Sequence, residues 1–140
     1  MHIVFLIAIP LLSSCSLLGG DAQEEGMMGD PRVVVESPRP QQVISSPLEI
    51  RGKARGTWYF EATFPVVLVD WDGLIIAEHY AQADGEWMTP DFVPFTASLE
   101  FERPEYGERG WLILRRSNPS GLPEHDAAVE IPVMFAGMKQ

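Results

Sequence analysis

The sequence is short of the residues that several protein classes require. Its 140 residues include one cysteine and three histidines, which excludes an internal disulfide and leaves too little for a zinc site. Ten lysines and arginines stand against twenty aspartates and glutamates, a net charge of −10, so no nucleic-acid partner is expected. No apolar run reaches the ~20 residues of a membrane-spanning helix. These shortages exclude a disulfide scaffold and a basic nucleic-acid binder, and they favour one small acidic domain.

The longest apolar run lies at the amino terminus, where residues 3–12 read IVFLIAIPLL. A run of this length is typical of the hydrophobic region of a secretory signal. The last residue of this run and the three residues after it are Leu12, Ser13, Ser14 and Cys15. This segment resembles the lipobox of bacterial lipoproteins, which consists of an aliphatic residue, two small residues and a cysteine. The resemblance implies that residues 1–14 are a cleaved signal peptide and that Cys15 becomes a lipidated first residue. A plain secretory signal with a chance cysteine is the alternative.

Residues 15–31 follow as the lipidated cysteine and a linker. From residue 16 to residue 31 there are four glycines, four acidic residues and no aromatic residue, a composition typical of a flexible acidic linker. Two or three acyl chains would hold the protein on a membrane, since each buried methylene contributes ~0.8 kcal/mol. We therefore expect a lipid-anchored protein on the extracytoplasmic side of a cell membrane or outer membrane.

Residues 32–137 have the pattern of an all-β domain. Apolar and polar residues alternate with a period of two, and turn residues recur about every ten positions, which predicts an immunoglobulin-like antiparallel β-sandwich of about seven strands. Asp72 and Gly73 indicate a two-residue hairpin turn. Pro65 predicts a bulge or an edge position, because proline donates no ladder hydrogen bond. The predicted strands are 32–36, 48–54, 58–70, 74–82, 92–102, 111–116 and 127–135.

Arg51, Lys53 and Arg55 alternate with apolar residues in the second predicted strand and therefore share one face. Two interpretations are open. The three side chains are either a basic stripe for an anionic glycan or phosphate, or a solvent-exposed face that pairs with Glu100 and Glu102 of the fifth strand. The second interpretation is favoured, because the second and fifth strands are neighbours in immunoglobulin topology.

Seven short segments along the domain form a recognisable combination: SPRP at 37–40, SPL at 46–48, GKARGTW at 52–58, FEATFPV at 60–66, WMT at 87–89, FVPF at 92–95 and NPSGLP at 118–123. Together they resemble the bacterial spore germination immunoglobulin-like domain family. The resemblance covers roughly residues 33–135 and implies an extracytoplasmic immunoglobulin-like sandwich; the family pattern includes no catalytic residues to carry over.

The residues themselves also argue against catalysis. Ser120, His125 and Asp126 are the residue types of a hydrolase triad, but they stand close together in one predicted loop without a nucleophile elbow. Asp70 and Asp72 resemble the start of a calcium loop that lacks its later acids, so a hairpin turn with solvated acids is the favoured interpretation. No catalytic residue, metal site or cofactor is expected.

Aromatic residues and their neighbours are the candidate partner-binding residues: Trp58, Trp87, Met88 and Asp91. A position in the core is the competing interpretation for Trp87, and it is the favoured one there and for Phe60, Phe64 and Trp111. In the predicted third strand, Trp58 and Phe60 should share one face and Tyr59 the other.

The sequence therefore predicts a non-catalytic, lipid-anchored module that contacts the membrane through its lipid. This module would bind an envelope protein or glycan through loops or a sheet edge. The alternative is a structural accessory subunit of an envelope, sporulation or germination complex.

Overall fold

A computed structural model describes residues 29–137, which form eight β-strands and two short 3₁₀ turns, Gly56–Trp58 and Pro123–His125. The predicted signal peptide, its lipobox, Cys15 and most of the linker lie outside these residues. Within them, no helix has the length and apolar character needed to cross a membrane. The strands are β1 Val33–Ser37, β2 Gln42–Ile44, β3 Leu48–Arg55, β4 Thr63–Asp70, β5 Ile75–Ala83, β6 Phe92–Leu99, β7 Arg109–Arg115 and β8 Ala128–Phe135.

The eight strands form one curled sheet in the order β1-β3-β6-β5-β4-β7-β8-β2. Neighbouring strands are antiparallel except β2 and β8, which run parallel. Strand β5 pairs with β4 from Ile75 to Gln82, and with β6 only through Gln82 and Ala83. It therefore forms the corner between a β1-β3-β6 layer and a β4-β7-β8-β2 layer. This confirms the predicted all-β, immunoglobulin-like fold class.

The seven predicted strands are all present, with ends shifted by a few residues, and one strand is additional. Strand β2 has three residues, and its Gln42 and Ile44 pair with Val133 and Phe135 of β8. Three residues are too few for an alternating pattern to be recognised in a sequence.

The core lies between the two layers and is built by alternation along each strand. Strand β3 alternates buried and exposed residues from Leu48 to Ala54. Phe64 of β4 is fully buried at the centre of an aromatic cluster, as predicted. Its ring centroid lies 6.4, 5.2 and 4.9 Å from those of Trp58, Tyr59 and Phe95, in edge-to-face arrangements.

The predicted alternation of residues 58–60 is wrong. The chain passes through the first 3₁₀ turn here instead of a strand, so Trp58 and Tyr59 are both buried in the core. Phe60, a predicted core residue, is 44% exposed at the start of a tight turn that leads to Thr63. Strict alternation holds only in extended backbone, and the 3₁₀ turn removes it.

The predicted core position of Trp111 is also wrong. In β7 the buried side chains are Leu112 and Leu114, both fully buried, so the alternate residues Trp111 and Ile113 lie on the outer face. Trp111 is only partly buried there, opposite Val69 of β4.

The expected neighbourhood of β3 and β6 is confirmed, but the charge pairing across them is wrong. The register places Arg51, Lys53 and Arg55 opposite Thr96, Pro94 and Phe92. Strand β6 ends at Leu99, so the predicted partners Glu100 and Glu102 lie beyond the paired residues.

Pro65 carries no bulge. The irregularity of the β4–β5 pairing lies between Leu68 and Val69, and Pro65 pairs in register with Tyr80. Strand β7 pairs with β4 only from Val66 onward, so Pro65 has no β7 partner whose hydrogen bond it would lose.

The two ends of the sandwich differ in their relation to the amino terminus. The near end is where the chain enters the domain, since the N–H of Arg55 donates to the carbonyl of Arg32. This end also holds the β3–β4, β5–β6 and β7–β8 loops, residues 56–62, 84–91 and 116–127. The far end holds the β2–β3, β4–β5 and β6–β7 loops, residues 45–47, 71–74 and 100–108.

Candidate interaction surface

Trp58, a predicted partner-binding residue, is not accessible to a partner. Its side chain is fully buried, and its Nε1 has no hydrogen-bond partner within the described part of the chain. The guanidinium of Arg32 lies 5.3 Å from the centroid of the indole and covers it on the side where the chain enters. The assignment of Trp58 to a binding surface is therefore wrong, and its role is to fill the core.

The other three predicted residues lie together in the β5–β6 loop at the near end. Trp87 is partly buried and packs against the core, whereas Met88 is 73% exposed and Asp91 is exposed. The loop is fixed by its own hydrogen bonds: the N–H of Met88 donates to Glu86, and the Thr89 hydroxyl lies 3.3 Å from the Asp91 carboxylate. Met88 is thus the most exposed apolar side chain of this loop.

A larger apolar surface lies at the far end, in the β4–β5 hairpin. Trp71 is 61% exposed and Leu74 69% exposed, and Ile75 at the start of β5 is half exposed. The hairpin is held by Asp70, whose Oδ1 accepts the N–H groups of Asp72 and Leu74 at 2.9 and 2.8 Å. The predicted hairpin is present, but its loop has four residues, 71–74, which leaves Trp71 outside the sheet.

The β6–β7 loop completes this surface with Tyr106. Tyr106 is 78% exposed, and the next residue, Gly107, lies directly against the Trp71 ring. A β-carbon at position 107 would lie 2.6 Å from Cδ1 of Trp71, so only glycine permits this approach. Two loops that are remote in sequence therefore present one surface, which we call the far surface: Trp71, Leu74, Ile75 and Tyr106.

An apolar row extends the far surface across the outer face of the adjoining strands. The register aligns Ile75 of β5, Val69 of β4, Trp111 of β7 and Pro132 of β8. Val69 lies on the face opposite to Leu68 but is itself only 6% exposed, and Trp111 and Pro132 are partly buried, so the exposed apolar area of the row is concentrated at Ile75. An exposed apolar surface that includes two aromatic residues, here Trp71 and Tyr106, is typical of an interaction site.

Charged residues border the apolar part of the far surface, three of them acidic and one, Arg109, basic. Asp72 lies in the hairpin loop, and Glu105 and Glu108 flank Tyr106 and Gly107; all three are exposed. An apolar centre with a charged rim is the usual anatomy of a protein interface. The predominantly acidic rim favours a partner that carries positive charge around an apolar patch.

The residues of the candidate hydrolase triad lie in the β7–β8 loop, where Ser120 and Asp126 make local hydrogen bonds. The hydroxyl of Ser120 bonds to Asn118, and the Asn118 amide donates to Asp126 at 2.7 Å. Ser120, His125 and Asp126 thus do not form a Ser–His–Asp relay. Among residues 29–137, no three histidine, cysteine, aspartate or glutamate side chains cluster as metal ligands do.

The far surface was missed because its residues are ordinary turn and loop residues in the sequence. Trp71 is followed by the Asp72-Gly73 turn signal, which explained the segment as a hairpin without further role. The indication available in the sequence was a set of large apolar residues on both sides of this turn signal, Trp71 before it and Leu74 and Ile75 after it. The proximity of Tyr106 depends on packing between loops and has no local signal.

Comparisons with known proteins agree with this fold. Neither the curated proteins nor the solved structures contain a significant match. The family model described as the immunoglobulin-like domain of bacterial spore germination matches residues 32–121, from the start of the domain to the β7–β8 loop. This match covers more than half of the chain and includes the β4–β5 hairpin and the β6–β7 loop. The chain belongs to the family of immunoglobulin-like domains of bacterial spore germination.

Proposed function

We propose that the protein is a non-catalytic binding module held by a lipid on Cys15 at the extracytoplasmic face of a membrane. In this proposal, the module binds a protein of the cell envelope through the far surface. The observation that carries the proposal is the exposure of Trp71 and of Tyr106, whose neighbour Gly107 lies against the Trp71 ring. The match to an immunoglobulin-like domain family supports a non-catalytic module.

The composition of the far surface favours a protein partner over a glycan. Leu74 and Ile75 are aliphatic and offer a sugar no hydrogen bond, whereas they add apolar area to a protein interface. Trp and Tyr are the residues that most often carry the binding energy of such interfaces.

The position of the far surface suits an anchored protein. The chain enters the domain at the opposite end, next to Arg32. A linker attached there lets the far end project away from the lipid, where the partner has access to it.

Photo-crosslinking in the native cells tests this proposal. A photoreactive phenylalanine analogue replaces Tyr106 in one variant and Met88 in another; the two sites are 78% and 73% exposed at opposite ends of the domain. We expect a discrete protein adduct from position 106 and none from position 88. Adding Trp71→Ala to the first variant should lower the adduct yield at least about tenfold, because a central aromatic contact contributes ~2 kcal/mol or more and about 1.4 kcal/mol already corresponds to tenfold.

Adducts from position 88 alone would place the binding site in the β5–β6 loop and contradict the far surface. An undiminished yield with Trp71→Ala would also contradict it. Circular dichroism of the purified variants controls for folding.

The family match favours a second candidate, an accessory subunit of a germination complex. An accessory subunit stays in a stable complex, so it would co-purify with its partner at fixed stoichiometry without crosslinking. A transient binding module would be recovered with its partner only after crosslinking.

A further inference from the structure

The outer face of β3 carries a line of three cations, which we call the basic stripe: Arg51, Lys53 and Arg55. Successive residues on one face of a strand are about 7 Å apart, so the stripe is about 14 Å long. It runs from the middle of the strand to the near end of the domain. The inward residues between them, Gly52 and Ala54, are buried, so the three side chains have only the outer face available.

The stripe has almost no acidic partner within residues 29–137. The one ion pair it makes joins Arg51 to Glu49 at 3.8 Å, and both side chains are more than half exposed. Such an exposed pair contributes little and opens easily. Lys53 and Arg55 have no carboxylate within 4.0 Å in the described part of the chain. Among residues 29–137, one weakly paired cation and two unpaired ones along a single strand are a local exception in a chain with a net charge of −10.

Phe92 of β6 holds two of these cations in place. The Arg55 guanidinium lies 3.8 Å from the centroid of the Phe92 ring, and Lys53 Nζ lies 5.0 Å from it. These cation–π contacts orient the side chains across the β3–β6 face. Side chains that are already positioned lose less conformational freedom when a ligand binds.

We propose that the basic stripe binds a linear anionic polymer that lies along β3. The spacing of the cations lets a flexible chain contact all three in turn, and the guanidinium groups bind phosphate or carboxylate through paired hydrogen bonds. A broad anionic surface such as a lipid bilayer fits less well. It would also meet the acidic residues that flank the stripe, Glu36 and Glu49, and the net negative charge of the domain.

Binding of linear polyphosphate to the purified full chain in a nonionic detergent tests the proposal. The stripe variant carries Arg51→Gln, Lys53→Gln and Arg55→Gln. A matched control loses three other exposed arginines, through Arg39→Gln, Arg109→Gln and Arg115→Gln. We expect the stripe variant to lose about tenfold or more in affinity, and its slope of log affinity against log salt to fall by about 2. The control should change less than about twofold.

Equal losses in the two variants would mean a response to net charge alone and would overturn the proposal. So would an absence of polyphosphate binding by the unaltered chain, or inorganic phosphate binding as tightly as the polymer. Phosphatidylglycerol added to the micelles is the last arm. If phosphatidylglycerol displaces polyphosphate at an equal concentration of phosphate groups, the outer face of β3 recognises lipid headgroups and the polymer proposal is wrong. Crosslinking at the far surface is independent of all these outcomes.

Discussion

At the scale of single residues, the point where the chain enters the domain is held by one ion pair. Arg32 bonds to the Asp30 carboxylate through Nε and Nη2 at 2.9 and 2.6 Å, and its N–H donates to the same carboxylate at 2.9 Å. The hydrogen bond from the Arg32 side chain holds the pKa of Asp30 below its ordinary value, although burial opposes the shift. The same bond raises the pKa of Arg32. The ionised pair fixes the arginine that covers the Trp58 ring.

A depressed carboxyl pKa predicts a loss of stability in acid. The contribution of Asp30 is complete above the ordinary aspartate pKa of about 3.9 and is lost as the pH falls through the lower pKa of the folded state. We therefore expect Asp30→Asn to lower the free energy of unfolding at pH 7, and this effect to shrink as the pH falls below the ordinary aspartate pKa towards the lower pKa of the folded state. Urea unfolding at a series of pH values measures the difference.

Glu105→Gln is the control for this series, since Glu105 is exposed in the β6–β7 loop and makes no ion pair within residues 29–137. An effect of Asp30→Asn that is the same at every pH would show that the carboxylate charge is not what stabilises the entrance of the chain.

The aromatic residues show how far single positions could be predicted. Phe64 follows the alternation of β4 and was correctly placed in the core, whereas the 3₁₀ turn at Gly56–Trp58 placed Tyr59 inside against the predicted pattern. The buried Tyr59 hydroxyl donates a hydrogen bond to the Val93 carbonyl at 2.7 Å, and burial raises the pKa of this hydroxyl. A partner 34 residues away in the chain leaves no local signal in the sequence.

At the scale of elements, the turn before β4 is strained. Phe60 and Thr63 exchange two backbone hydrogen bonds around Glu61 and Ala62, which have φ values of 51° and 65°. This is the left-handed region that asparagine and glycine adopt at lower cost than other residues. This turn belongs to the β3–β4 loop at the near end of the domain, opposite to the far surface.

Replacing the turn residues should stabilise the protein. We expect Glu61→Asn with Ala62→Gly to raise the free energy of unfolding by about 1 kcal/mol, because both residues tolerate the positive φ that the turn imposes. Chemical denaturation of the full chain measures this change. Gly73→Ala is the matched control, which should lower the free energy of unfolding instead of raising it. Gly73 has a φ of 83° in open space, so alanine there should cost about 1 kcal/mol.

An unchanged or lower stability of the double variant, with an unaltered circular dichroism spectrum, would mean that the surrounding contacts favour Glu61 and Ala62 in this conformation.

The residue types in each turn explain which of the two hairpins could be predicted from the sequence. The β4–β5 hairpin contains Asp72 and Gly73, whereas the turn at Glu61 and Ala62 has neither glycine nor asparagine to mark it.

At the scale of the whole molecule, the fold class could be predicted from the sequence, and the proposed interaction surface could not. Period-two alternation is a local property, so β3, β6 and β8 were recognisable from their own residues. Exposure at the far end depends on which loops meet after folding. Trp71 and Gly107 are 36 positions apart, and only the curled sheet brings them together.

The chain enters the domain at one end and the far surface lies at the other, so the last prediction concerns the attachment of the protein to the membrane. If Cys15 carries the lipid, Cys15→Ser should abolish labelling of the protein by a palmitate analogue and shift it from the membrane to the soluble fraction. The loss is large because two or three acyl chains are replaced by none. Ser14→Ala keeps a small residue before the cysteine and should leave both readouts unchanged. The far surface folds at the other end of the domain, so purified Cys15→Ser should show an unaltered circular dichroism spectrum. Labelling that persists in Cys15→Ser would contradict lipidation at this residue.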